Sequence, residues 1–184
     1  MNKTKEPSGF LRYAAGYLIG IVIFLGLIPL GIWSMAASEI RIFSLPVIPH
    51  AGIRLVLAAF FFFLGCLFVL WSNLFLVLRG KGGPTDIAGI EISPRTKKLV
   101  SDGPYRYTRN PMVFGVHSLY FSLTLFLNSL GCLLVLAFFY FTIVRWVVLQ
   151  EEKRLLKDFG SEYAAYREKT SMFFPHPHQR SRKG

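Results

Sequence analysis

The chain has 184 residues, of which 53% are hydrophobic and only 17% charged, and its formal net charge is +11. This is the length of one domain with the composition of a membrane protein, which excludes a polar disordered chain. The cations flank apolar runs and form no stripe with stacking aromatics, which argues against a nucleic-acid partner.

Three uninterrupted apolar runs set the fold class: Tyr17–Trp33, Ile53–Leu78 and Gly115–Leu149. After a polar start, the first predicts a transmembrane helix over about 11–33, carrying Pro29, a residue that kinks a helix unless neighbours satisfy the freed carbonyl. A short connection with Pro46 and Pro49 follows, in which His50 reads as a solvated loop residue. The second run predicts a span over about 53–78, some 39 Å of helix against a hydrocarbon core of about 30 Å. Asn73 within it predicts a hydrogen bond to a neighbouring helix. The third run is too long for one crossing. Asn128, Ser129 and Gly131 divide it into a tight hairpin of helices over about 112–128 and 130–150. Residues 151–170 then read as an amphipathic helix interrupted near Gly160, with Leu155, Leu156, Phe159, Tyr163 and Tyr166 on its apolar face. The expected fold is all-α, a polytopic membrane protein of one domain with four to five transmembrane helices.

Charge placement tests the topology independently. Eighteen of the 21 Lys and Arg fall before helix one, between helices two and three, or after helix four. Only Arg41 and Arg54 lie on the other side, and Arg145 sits within the last apolar run. By the positive-inside rule, both termini and the 79–111 loop face the cytoplasm, where basic residues also meet anionic lipid headgroups.

That loop opens R-G-K-G-G-P-T, which has neither the spacing nor the preceding strand of a phosphate loop, and no G-x-G-x-x-G enters a helix. Cys66 and Cys132 lie in apolar runs as packed thiols, and neither they nor the histidines of the tail predict a metal site. The polar stretch Ser101–Gly115, S-D-G-P-Y-R-Y-T-R-N-P-M-V-F-G, is different. It sets two Arg, two Tyr and two Pro immediately before an apolar helix, where polar backbone and fixed charge are costly without partners. A helix starting at Asn110 or Pro111 exposes backbone donors beside Arg106 and Arg109, an arrangement suited to an anionic group. His117, two turns further in, is either a packing residue or a functional one. In the last helix Arg145 and Glu152 share a face, with Glu151 rotated about 100° away. Arg145 there either snorkels to the interface or faces an anion.

Lys98-Leu99-Val100, Gly103-Pro104-Tyr105, Arg109-Asn110-Pro111 and, some 40 residues on, Glu151-Glu152…Leu155…Phe159-Gly160…Tyr163…Tyr166 resemble the isoprenylcysteine carboxyl methyltransferase family of integral membrane enzymes. The resemblance covers roughly residues 79–170. It departs from the family pattern at Asn110, where the motif has His, and at Val113, where it has an aromatic residue. The resemblance implies methyl transfer from S-adenosylmethionine to the carboxylate of a prenylated cysteine or similar lipophilic acid. It also implies that Lys97, Lys98, Leu99, Val100, Gly103, Tyr105, Asn110, Pro111, Met112, His117 and Glu151 line the cofactor site. Arg145, Glu152 and Arg109 are the candidates for acting on the acceptor. The chemistry is consistent with the residues themselves, because a carboxylate is already ionised at neutral pH and needs positioning and desolvation more than a base. Three other readings share parts of the pattern. They are a phospholipid or amine N-methyltransferase, in which His117 or Glu152 accepts a proton, a sterol-type membrane reductase, and a non-enzymatic scaffold or small transporter.

Overall fold

A computed structural model gives the fold and describes residues 9–38, 40–81, 86–87, 90–91 and 96–176. Four long helices account for most of these residues. Helix α1 runs without a gap through Gly9–Gly20, a wide π-helical segment Ile21–Leu27, and Ile28–Ala36. Helix α2 is Ala51–Phe75, extended by π-helical Leu76–Gly80. Helix α3 is Pro111–Leu127, and α4 runs Leu130–Phe139, Tyr140–Val144 and Arg145–Lys169. Three of the four are long and apolar enough to cross a membrane, and α3, at 17 residues or about 26 Å, is a shorter apolar helix. The protein is therefore an all-helical integral membrane protein. Within the 79–111 loop the described residues include a two-residue antiparallel ribbon, Asp86-Ile87 against Ile90-Glu91.

The widened turn in α1 has an identifiable cause. Pro29 has no N–H to give the carbonyl four or five residues back, so α1 opens over Ile21–Leu27. The carbonyl of Phe24, five residues before Pro29, instead accepts the Tyr120 hydroxyl of α3 at 2.9 Å. Asn73 behaves as its sequence context predicts. Its amide donates to Val69 in its own helix, and its Oδ1 accepts the Tyr17 hydroxyl from α1 at 3.3 Å. His50 is not merely solvated, since its Nδ1 accepts the Ile53 N–H and so caps α2.

Helices α2 and α3 form the tightest pair in the bundle. They meet at Gly65 and Gly115, where a Cβ on Gly115 would come within 2.8 Å of the Val69 backbone nitrogen. Small residues at such a crossing let backbones approach, which in lipid replaces the missing hydrophobic drive between helices. The predicted hairpin turn is confirmed in detail. Asn128 adopts a left-handed conformation, and its side chain accepts both the Val47 and Ile48 N–H groups at 3.0 Å. Ser129 then caps α4 by accepting the Cys132 N–H. A small buried cluster of Ile32, Tyr120 and Cys132 closes that end of the bundle.

One boundary differs from the sequence reading. The last span and the amphipathic segment are one rod, with no break at Glu151, because Q-E-E-K-R-L-L-K continues the helical pattern without a capping or breaking residue. The interruption falls at Gly160, whose φ of 52° and ψ of −126° only glycine adopts readily. There the polar end of α4 bends, setting the direction from which Tyr163 and Tyr166 approach the bundle.

Candidate functional site

The stretch between the 79–111 loop and α3 folds as a short 3-10 turn, Gly103–Arg106, followed by Thr108-Arg109-Asn110 and the first turn of α3. Gly103 has φ +58°, and any Cβ there would meet the Phe75 ring at 2.4 Å, so this residue seats the turn against the end of α2. Pro104, Tyr105, Thr108 and Pro111 are all buried.

Two distant segments close over this turn. The first is the polar end of α4. Arg109 Nη2 lies 3.0 Å from Glu152 Oε1, the two side chains being 9% and 7% exposed, and Arg109 Nη1 donates to the Arg167 carbonyl at 2.9 Å. The Tyr166 hydroxyl donates to the Tyr105 carbonyl at 2.6 Å. The second is the segment after α4, which lies across the start of α3 as a strap. Thr108 pairs with Ser171 in a parallel bridge, the Arg109 N–H donates to the Ser171 carbonyl, and Thr108 Oγ1 and Asn110 Nδ2 both donate to the Met172 carbonyl. Phe173 of the strap rests 5.0 Å from the Tyr140 ring, which in turn stands edge-on to His117 at 5.0 Å.

The site is incompletely paired. Arg109 Nε, Glu152 Oε1 and the Tyr163 hydroxyl are all buried and lack a hydrogen-bond partner among the described residues. Tyr163 is 1% exposed. The Arg109–Glu152 contact is thus an ion pair by distance without hydrogen-bond alignment at Oε1. The Tyr163 hydroxyl faces the same carboxylate but also falls short of that alignment. Burial drives the Glu152 carboxyl above its ordinary range, and the Arg109 and Arg167 guanidiniums with the Tyr163 hydroxyl only partly offset this. Burial likewise raises the Tyr105 phenol, reinforced by the nearby Tyr166 and Glu151, so the ring stays neutral. Orphaned buried polar atoms are rare in native interiors and mark places where a ligand or water completes the pairing.

The sequence-predicted residues divide into three groups. Gly103, Tyr105, Arg109, Asn110, Pro111, Glu151 and Glu152 converge on this junction, with Met112 in the first turn of α3. Asn110 makes no side-chain cap, since its amide is drawn to the strap, so the first N–H groups of α3 receive nothing from it. Glu151 is half-buried and paired with Arg154 on its own helix. The loop supplies the second group. Val100 is buried and Leu99 partly so, while Lys97 and Lys98 are exposed, with the Lys97 N–H bonded to the Gly80 carbonyl at 2.8 Å. The third group stands apart. His117 is half-buried in α3, with Nδ1 2.9 Å from the Val113 carbonyl. Arg145 is exposed on α4 and has no ion pair or hydrogen bond among the described residues. Thr108, Arg167 and the strap escaped the sequence reading. Among the described residues no group of His, Cys, Asp or Glu could hold a metal ion.

A polytopic helical protein with a buried, partly unpaired polar cluster at one end of its bundle is built like a membrane enzyme that works at the bilayer surface. The profile of the phospholipid methyltransferase family matches residues 53–162, so the chain belongs to that family and is a membrane methyltransferase. No curated protein and no solved structure matches the chain. The matched region takes in α2, α3, the 103–110 turn and α4 as far as Glu162. The strap lies beyond it.

Proposed function

We propose that the protein transfers the methyl group of S-adenosylmethionine to the carboxylate of a lipophilic acid of the prenylcysteine type, at the cytoplasmic face of the membrane. The observation that carries this reading is the set of unpaired buried polar atoms on Arg109, Glu152 and Tyr163. Together they offer a donor, an acceptor and a hydroxyl within one enclosed junction, which fits a zwitterionic amino-acid group. S-adenosylmethionine ends in such a group, and when bound it supplies an electrophilic sulfonium methyl. In this fit Glu152 or Glu151 receives the ammonium, and Arg109 Nε with the uncapped first turn of α3 receives the carboxylate. The Tyr105 ring, kept neutral by burial, provides an aromatic face for the adenine or the sulfonium cation. The strap and the bent end of α4 exclude water from the junction.

For a carboxylate acceptor no base is required, and both glutamates remain free to bind and orient. In-line attack then depends on holding the acceptor oxygen close to the methyl carbon. Lys97 and Lys98, exposed beside the membrane face, can steer anionic groups toward the junction.

One observation favours a second reading, methylation of an amine headgroup. The Val113 carbonyl can only accept, so His117 Nδ1 carries the proton and Nε2 is left as an acceptor for a proton released by an amine. The deciding assay supplies purified protein with methyl-labelled S-adenosylmethionine and, separately, a prenylcysteine derivative and an aminophospholipid. Base-labile label in the lipid fraction is the expected outcome. Base-stable label would move the assignment to nitrogen, and no cofactor binding at all would remove both.

A further inference from the structure

The bundle holds a cavity away from the junction. It measures about 520 Å³ and lies where α1, α2 and α3 come together, lined by Phe24 and Pro29, Ala58 and Ala59, and Leu119 and Leu123 among others. It borders the π-helical segment of α1. Near its start Tyr17 ties this helix to Asn73, and near its end Ile32 packs into the buried cluster. Between these points the π-helical segment before Pro29 contributes Phe24 and Leu25 to the lining. Ala58 and Ala59 present only methyl groups to it.

Two features define what this gap accepts. The hydroxyls in its wall are already engaged, Tyr120 donating to the Phe24 carbonyl at 2.9 Å and Ser122 to the Ala58 carbonyl at 2.7 Å, so no headgroup has a polar partner there. Its mouth is continuous with the bilayer-facing surface, since Leu25, Phe62, Phe63 and Phe126 at its rim are well exposed. Depth then selects the source. Residues 119–126 lie roughly 12–22 Å along α3 from Pro111, and half the hydrocarbon core is about 15 Å. A chain anchored in the leaflet on the junction side ends near the midplane. One anchored in the opposite leaflet reaches the gap directly.

We propose that this groove is a retained lipid site that takes one acyl chain of a phospholipid from the leaflet opposite the polar junction. The chain fills the space behind Pro29, beside the Tyr120–Phe24 hydrogen bond that joins the middle of α1 to α3. The volume is within the range of sites that enclose a small apolar ligand.

Photolabelling tests this. Protein reconstituted in phosphatidylglycerol vesicles receives a trace of phosphatidylcholine carrying a diazirine midway along one acyl chain, and adducts are mapped after illumination. In the wild type, adducts are expected to concentrate on 24–29, 55–63 and 119–126, above the equally exposed 138–143 segment of α4. Ala59→Phe occupies the groove and is expected to lower those adducts about tenfold, the effect of displacing roughly two methylenes. Ala59→Ile should give an intermediate value, and methyl transfer should stay at the wild-type rate in both. Even labelling of all exposed helices in the wild type, which needs no variant, would show ordinary bulk lipid and overturn the proposal. So would adducts unchanged in a folded Ala59→Phe. Adducts displaced by saturating prenylcysteine acceptor would assign the groove to the acceptor's tail instead.

Discussion

Replacing Arg109 by alanine isolates the interaction that joins the two halves of the site. In the wild type the guanidinium sits 3.0 Å from the Glu152 carboxylate with both side chains below 10% exposed, and it also donates to the Arg167 carbonyl. Arg109→Ala leaves Glu152 buried without its ion-pair partner, with Arg167 as a weaker remaining influence, a change that destabilises by about 3 kcal/mol. Removing both partners leaves neither charge behind. The double variant Arg109→Ala/Glu152→Ala is therefore expected to be more stable than Arg109→Ala alone, with a coupling of about 2 kcal/mol. Reversible unfolding in bicelles across the four proteins gives the cycle directly. The pH dependence carries its own sign. Burial already holds the Glu152 carboxyl above its unfolded value, and losing Arg109 raises it further. Stability of Arg109→Ala should thus be best at low pH, where the carboxyl is protonated in both states. It should fall as pH rises from the ordinary carboxylate range through the raised folded value. Additive losses in the cycle, or a flat pH profile for Arg109→Ala, would refute the view that these charges face each other in a dry environment.

Glu151→Gln is expected to weaken S-adenosylmethionine binding about tenfold, while Arg145→Ala leaves cofactor affinity unchanged and raises the KM of the acceptor; calorimetry with the cofactor alone separates the two. Tyr120→Phe deprives the Phe24 carbonyl of its hydrogen bond from α3 and should cost about 1 kcal/mol in an unfolding experiment, with no change in cofactor affinity. Gly160→Ala meets no neighbour within 4 Å of the added Cβ, so its effect is purely backbone strain, about 1–3 kcal/mol, seen as a lower Tm and a reduced rate because Tyr163 and Tyr166 shift with the bend.

The helical spans were legible because lipid demands long apolar runs, and the hairpin at Asn128-Ser129 because turn chemistry is local. The polar stretch 101–115 and Glu151-Glu152 stood out for the opposite reason, as fixed charge beside a membrane needs a partner. What periodicity could not show is what stands opposite a helix face. Arg145 and Glu152 lie nearly two turns apart on the same side of α4, yet Glu152 is buried against Arg109 and Arg145 is exposed. The strap was invisible for a related cause. On the strap's side its bonds to 108–110 are taken by the Ser171 and Met172 carbonyls, which carry no residue signature, and Thr108 becomes conspicuous only once it is seen to be fully buried. Glu151 drew the cofactor role in the sequence reading, and the structure shows Glu152 to be the more enclosed of the pair.

The bridge from Thr108 to Ser171 spans more than a third of the chain, and Arg109 meets Glu152 across nearly a quarter of it. Every helix can be threaded into the bilayer during translation before either contact exists. A nascent chain stopped short of Ser171 would therefore sit in the membrane as a complete set of spans with its polar junction uncovered. Closure of the junction thus waits for the synthesis of Ser171 and Met172. A chain assembled in this order keeps the junction open to its surroundings until synthesis has passed the strap.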